Sequence, residues 1–256
     1  MIDMIRREYS FVSIGTENSG TNGYMSVSEK YNGIRILSPQ EHSIDFIDEY
    51  NKGNLFFSDV FSVECLCIIR FQLIAALSLK NIADKNVCVL GCGAIGVAAY
   101  LECIRQKAKM VTVITRRHEI VDIFKKAINI EYYNNMKEYD IYIDCSGEDV
   151  YIGHVIKDCQ IGAKIYLLGT PRTEPSINAL IIHRKNLKIF GGHELNGITQ
   201  IERLCKCQEL QEYYLSNLSL INEISRTFVR MHDGGDCEIK RIHSHKYAQP
   251  FNILKW

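Results

Sequence analysis

The segment Val87-Cys-Val-Leu-Gly-Cys-Gly-Ala-Ile-Gly96 constrains the fold of this chain more than any other. It places G-x-G-x-x-G directly after a short apolar run and ahead of a stretch with helical spacing. In a strand–turn–helix unit the glycines have separate tasks. Gly91 makes the tight turn, Gly93 lets a pyrophosphate approach the backbone where a Cβ would intrude, and Gly96 lets the helix pack close on the strand. A helix starting near Ala94 offers the amides of Ala94, Ile95 and Gly96 to phosphate oxygens. Glycines kept only for packing would leave the same trace, so the surroundings have to supply the rest.

They do so by alternation. After Gly96 a helix is expected to about Lys107, a strand at Val111–Ile114, a helix at about Glu119–Lys126 and a strand at Ile141–Asp144. A helix near Val150–Cys159 and strands at Lys164–Leu168 and Lys188–Phe190 follow. Short apolar strands separated by crossover helices specify an α/β fold, a Rossmann-type parallel sheet covered on both faces. We place this domain at residues 61–205, led in by a long apolar helix from about Ser62. Residues 9–60 read as short strands and turns, with Asn-Gly pairs at Asn22-Gly23 and Asn32-Gly33. That is too little chain for a self-sufficient barrel. Beyond Gly197 a mostly helical stretch, about Thr199–Val229, precedes a Gly234-Gly235 turn and a short polar tail.

The end of the second strand selects the cofactor. An acidic residue there would hold the ribose diol of NAD, but the chain has Thr115-Arg116-Arg117. A hydroxyl followed by two guanidiniums suits a ribose 2′-phosphate, which favours NADP over NAD. Two arginines at a solvated strand end are the plainer alternative. Ser146-Gly147 and Gly169-Thr170 close later strands on the carboxyl edge of the sheet, where the nicotinamide half should pass. Glycine at such exits serves ligand approach or turn chemistry equally well.

Composition narrows the partners. Thirty basic and thirty acidic side chains cancel, and no basic block interleaved with aromatics points to nucleic acid. Ten scattered cysteines, several in apolar runs, suit a reducing compartment better than a disulfide framework. The C-x-C pairs Cys65/Cys67 and Cys205/Cys207 lack zinc-knuckle spacing. The apolar run Cys65–Leu79 is broken by Arg70 and Gln72, and the first residues lack the layout of a secretory signal. No membrane association and a cytoplasmic location are the expectations.

Several segments taken in order resemble the medium-chain dehydrogenase/reductases, a family that includes zinc alcohol dehydrogenases and zinc-free quinone reductases. Ser13-Ile-Gly-Thr-Glu17 is similar to its early G-T-D/E segment, and Val87–Gly96 to its cofactor turn. Asp144-Cys-Ser-Gly147, Ile165–Gly169 and Leu187–Gly191 resemble its later strands, and Arg241-Ile-His-Ser-His-Lys-Tyr247 its L-I-T-H-R-F segment. The resemblance implies a GroES-like substrate domain, here reduced and mostly β, formed by both chain ends (1–60 and 206–256). It also implies a homodimer joined through the sheet edge at Lys188–Phe190, an uncovered apolar edge being prone to pairing.

The zinc ligands are missing from the pattern. Ile14 stands at the position of the first zinc cysteine, and the G-H-E block and four-cysteine lobe have no counterpart, so no metal is expected. Hydride transfer then needs protein donors. The resemblance makes Thr16 a proton relay and Ser19 its outward continuation, while His42 has the chemistry of a general acid. The plainer readings are a turn threonine, a turn serine and a surface histidine beside Glu41. His243 and His245, alternating in an extended tail, are further candidates. The activity expected is a zinc-independent, NADP(H)-dependent oxidoreductase acting on a small carbonyl, alcohol or activated alkene. The alternative is an inactive dinucleotide-binding subunit or regulator.

Overall fold

A computed structural model describes residues 5–13, 17, 23–30, 32–117, 124, 127–129, 138–171, 174, 177–193, 197–244 and 249–256. The first described elements are strands β1 (Ile5–Val12), β2 (Met25–Ser28), β3 (Ile34–Ser38), β4 (Phe46–Ile47) and β5 (Leu55–Ser58), then helix α1 (Val63–Ser78). The alternating section holds β6 (Asn86–Leu90), α2 (Ala94–Arg105), β7 (Met110–Thr115), β8 (Ala127–Asn129), β9 (Ile141–Asp144), α3 (Asp149–Asp158), β10 (Lys164–Leu167), α4 (Ala179–Lys185) and β11 (Lys188–Gly191). Helices α5 (Gln200–Leu215) and α6 (Leu218–Phe228), strand β12 (Val229–Asp233), helix α7 (Asp236–Ser244) and strand β13 (Phe251–Lys255) complete the chain. The contacts divide it into two compact units, Ile74–Asn196 and Met1–Leu73 with Gly197–Trp256, the division falling inside α1.

In the unit Ile74–Asn196 the strands run in the order β11-β10-β9-β6-β7-β8, and every described pairing is parallel. The order reverses between β9 and β6. This is the doubly wound arrangement, and its switch point is the place for a ligand at the strands' carboxyl ends. Val87, Cys88 and Val89 of β6 are wholly buried, as a strand covered on both faces requires. The small residues Gly96, Val97, Ala98 and Ala99 are buried along α2 and permit its close approach to the sheet.

The unit formed by both chain ends holds a second sheet, ordered β12-β13-β1-β2-β3-β5, with β4 also paired to β1. Its pairings are antiparallel except β12 with β13. The short N-terminal strands are completed by a strand from the C-terminal end, β13, which runs beside β1 with Phe11 opposite Ile253. Strand β5 ends the sheet, and Gln211 of α5 occupies its open side. The Gln211 amide accepts from the Ser58 N–H at 3.1 Å and donates to the Phe56 carbonyl at 2.9 Å. A side chain thus satisfies groups that would otherwise invite another strand.

The sequence expectations need correcting at several places. The segment Arg241–Ser244, expected as an extended tail, is the last turn of α7. Asp236 and Glu238 begin that helix and Arg241 and His243 end it, so the charges match the helix dipole and favour helix over strand. The final residues are not a polar tail, since Phe251, Ile253 and Leu254 of β13 are buried. Val229, expected to end the helical stretch, begins β12. Helix α4 and strand β8 had no counterpart in the sequence reading. The helix expected at Glu119–Lys126 lies almost entirely outside the described residues. All ten cysteines are free thiols, and no described helix is long and apolar enough to cross a membrane.

Candidate functional site

The loops leaving β6, β9 and β10 are stitched together by backbone bonds. The Gly91 amide donates to the Ile114 carbonyl at 2.8 Å, that of Cys145 to Leu90 at 2.9 Å, and that of Gly169 to Asp144 at 2.8 Å. Glycine is required where these loops touch. Gly91 (φ +94°) and Gly147 (φ +65°) have left-handed backbones. A methyl group on Gly169 would lie 2.7 Å from the Gly147 nitrogen, and one on Gly147 would overlap the Thr170 carbonyl oxygen. Gly147, Gly169 and Thr170 therefore form a close-packed floor beside the Gly91 turn.

Within that turn the second and third glycines differ. A methyl on Gly96 would overlap the Gly91 carbonyl oxygen and come within 2.9 Å of its carbon, so Gly96 is needed for the turn to close. A methyl on Gly93 would meet nothing within 4 Å. The space beside Gly93 is open, and α2 begins there with Gly93 as its N-cap and no side chain capping the first-turn amides, Ala94 and Ile95 among them. These residues fit a pyrophosphate: a cradle that a Cβ would fill, and helix amides facing it.

At the end of β7, Thr115 is buried, and its hydroxyl oxygen accepts the Arg117 amide hydrogen at 3.0 Å. The Thr115 hydroxyl is thus turned to its own backbone. The arginines bend back toward the turn. Arg117 donates to the Cys92 carbonyl at 3.3 Å, and Arg116 pairs with Glu148 at 3.2 Å. On the neighbouring loop the Ser146 hydroxyl donates to Asp144 Oδ1 at 2.6 Å and its amide to the same oxygen at 2.9 Å. Burial still pushes the Asp144 carboxyl above its ordinary value despite these bonds.

The unit formed by the chain ends carries a second polar constellation. Glu17, 6% exposed, lies at its centre. Oε1 accepts the Ser13 amide at 2.8 Å and lies 3.3 Å from His42 Nε2, and Oε2 lies 2.7 Å from His243 Nε2. His42, which the sequence allows either as a general acid or as a surface histidine beside Glu41, is 5% exposed, so the surface reading fails. Its Nδ1 lies 2.9 Å from the Ser10 hydroxyl, which accepts the Trp256 indole N–H at 2.8 Å. The contacts form one path from the Trp256 indole through the Ser10 hydroxyl and the His42 ring to the Glu17 carboxylate. The Arg7 guanidinium donates to the His42 carbonyl and stacks on the Trp256 ring at 4.1 Å.

Burial pushes the Glu17 carboxyl up, but His42, the Ser13 amide and His243 outweigh it and hold the group below its ordinary value. Glu17 is therefore an ionised carboxylate between two imidazoles, and the arrangement can store or pass a proton. Reading the sequence missed Glu17 as a functional residue. Its one signal was its place in the G-T-E segment, because its partners come from distant parts of the chain. Thr16, Ser19 and His245 lie outside the described residues. Among the described residues, no three or more His, Cys, Asp or Glu side chains are grouped so as to hold a metal ion.

No family model matches the chain, and no curated protein matches it by sequence. Solved structures match it along almost its whole length. Galactitol-1-phosphate dehydrogenase from Escherichia coli is 14% identical with a TM-score of 0.72, over 98% of this chain and 92% of that one. TarJ from S. aureus in complex with NADPH is 14% identical with a TM-score of 0.74, over 99% and 90%. L-Idonate 5-dehydrogenase from Escherichia coli is 10% identical with a TM-score of 0.73, again over 99% and 90%. At these identities the likeness establishes the fold: a Rossmann-type unit with a GroES-like partner.

Proposed function

We infer that this chain, built on the fold of the medium-chain dehydrogenase/reductases, is an oxidoreductase that uses a nicotinamide dinucleotide, with NADP(H) the better ligand. The observation that carries this reading is the open space at Gly93, set at the switch point of the parallel sheet. A bound dinucleotide would supply the hydride that reduces a small carbonyl or activated alkene. The chain's own residues would then bind and orient it. The first-turn amides of α2 take the pyrophosphate, Arg116 and Arg117 the adenosine ribose end, and the Ser146-Gly147 and Gly169-Thr170 loops flank the path of the nicotinamide half.

Glu17 and the two histidines beside it do not form a zinc ligand set, since the Glu17 oxygens already accept the Ser13 amide and contact His243 Nε2, and His42 Nδ1 faces the Ser10 hydroxyl. Thr16 and Ser19 remain the proposed relay for the proton that accompanies the hydride. His42 suits that role less than the sequence suggested, because burial and two partners hold it in place. That observation favours the second reading, a dinucleotide-binding subunit without turnover.

Titration calorimetry with NADPH and NADH, followed by an NADPH-oxidation assay over quinones, enones and aldehydes, separates the two. Micromolar NADPH binding with turnover of one substrate class is the expected result. Binding without turnover across the panel leaves the subunit reading, and no binding of either dinucleotide sinks both.

We also propose a homodimer through β11. This strand ends the parallel sheet, and its Phe190 is 40% exposed while stacking on Tyr166 at 4.9 Å. Phe190→Lys sets two like charges across the paired edges and is expected to convert a dimer to monomer in light scattering. A wild-type protein already monomeric at micromolar concentration overturns the assignment.

A further inference from the structure

The Arg116–Glu148 pair joins the loops that leave two different strands of the parallel sheet. Arg116 directly follows β7, and Glu148 is the N-cap of α3 just beyond β9. Strand β6 lies between β7 and β9, so the bridge crosses the carboxyl end of β6, where the Gly91–Gly93 turn sits. The guanidinium is held a second time by the same helix, 6.0 Å above the Tyr151 ring. The Glu148 amide is in turn bonded to the Ser146 hydroxyl at 3.1 Å, which fixes the acid's backbone against the β9 loop. The positive charge at the end of β7 is thus partly matched by a carboxylate from a different loop, although β7 itself ends in no acidic residue.

We propose that Glu148 is a specificity-determining residue that limits the preference for a phosphorylated dinucleotide. The proposal rests on the dinucleotide reading above. A ribose 2′-phosphate bound to Arg116 brings about two negative charges to within ion-pair distance of the Glu148 carboxylate, and the repulsion offsets part of what the arginine contributes. A ribose 2′-hydroxyl brings no charge and can donate to the same carboxylate. Arg116-Arg117 alone would strongly favour NADP(H), and Glu148 draws the two cofactors closer together. The Arg116 side chain is 51% exposed and that of Glu148 29%, so the effect is that of a partly solvated pair and not of a buried one.

The test is the ratio of dissociation constants for NADPH and NADH, measured by calorimetry at low and high salt on wild type, Glu148→Gln and Arg116→Ala. Glu148→Gln is expected to tighten NADPH about fourfold and to leave NADH within about twofold. The gain should shrink as salt rises. Arg116→Ala is expected to weaken NADPH by a clearly larger factor than NADH. An unchanged NADPH:NADH ratio in Glu148→Gln, with dinucleotide binding intact, overturns the inference alone. Binding of neither dinucleotide by any of the three proteins overturns the functional reading and the inference with it.

Discussion

Gly96→Ala is expected to destabilise the Ile74–Asn196 unit by about 2 kcal/mol and to abolish dinucleotide binding. Two effects compete at this position. Gly96 lies in the first turn of α2, where alanine has the better helix propensity by roughly 0.5–1 kcal/mol. Against that, the new methyl would overlap the Gly91 carbonyl oxygen, a backbone atom held by the turn that cannot rotate away as a side chain could. Overpacking of about 1–3 kcal/mol therefore prevails. The companion Gly93→Ala separates folding from binding. Gly93 has φ −81°, which any residue adopts, and its methyl would meet nothing within 4 Å. This variant should melt with the wild type yet bind NADPH more than about tenfold more weakly, because its methyl fills the pyrophosphate cradle. Thermal melting and calorimetry on both proteins check the pair. Wild-type NADPH affinity in Gly93→Ala would remove the turn from the site.

Glu17→Ala should cost the unit formed by the chain ends about 3 kcal/mol at neutral pH. The loss removes the carboxylate that accepts the Ser13 amide and faces His42 and His243, and leaves a cavity beside the buried His42 ring. The same carboxylate gives the unit an acid limit. Its folded-state value is held below the ordinary 4.5. Its contribution is thus complete above that value and is lost as pH falls through the lower, folded-state one. Glu17→Gln removes the titrating group and should be less stable than wild type at neutral pH, with the gap closing in acid. The sole tryptophan, Trp256, belongs to this network through Ser10 and Arg7, so its fluorescence during urea unfolding reports on the unit directly. Parallel stability–pH curves for wild type and Glu17→Gln would show that the carboxylate carries no such linkage.

The two sites differ in how much of each the sequence discloses. The parallel sheet is legible because its logic is local: apolar runs of four or five residues, most of them ended by glycine or a small polar turn, repeat at crossover spacing. Strand β8 escapes because Ala127–Asn129 is too short for periodicity to register, and α4 because seven residues hold barely two helical turns. The buried cluster escapes for a different reason. Apart from the G-T-E segment nothing in the sequence marks Glu17, since His42 and His243 reach it from distant parts of the chain and Ser10 and Trp256 join only through His42. His42 follows an acidic residue and reads as solvated, yet the β-rich unit buries it. Periodicity reports which face of an element is apolar, and it does not report which polar residues distant segments will share.

The β1–β13 pairing also orders events during synthesis. The Ile74–Asn196 unit is one continuous stretch and can close its sheet as soon as it leaves the ribosome. Strand β1 can take β2, β3 and β5 on one side early, but its other side stays open until β13, the last described strand, emerges. An unpaired edge of this kind is a template for misassociation while the rest of the chain is made. The first described strand is thus covered by the last, and its open edge is the longest-lived template for misassociation as these residues are made.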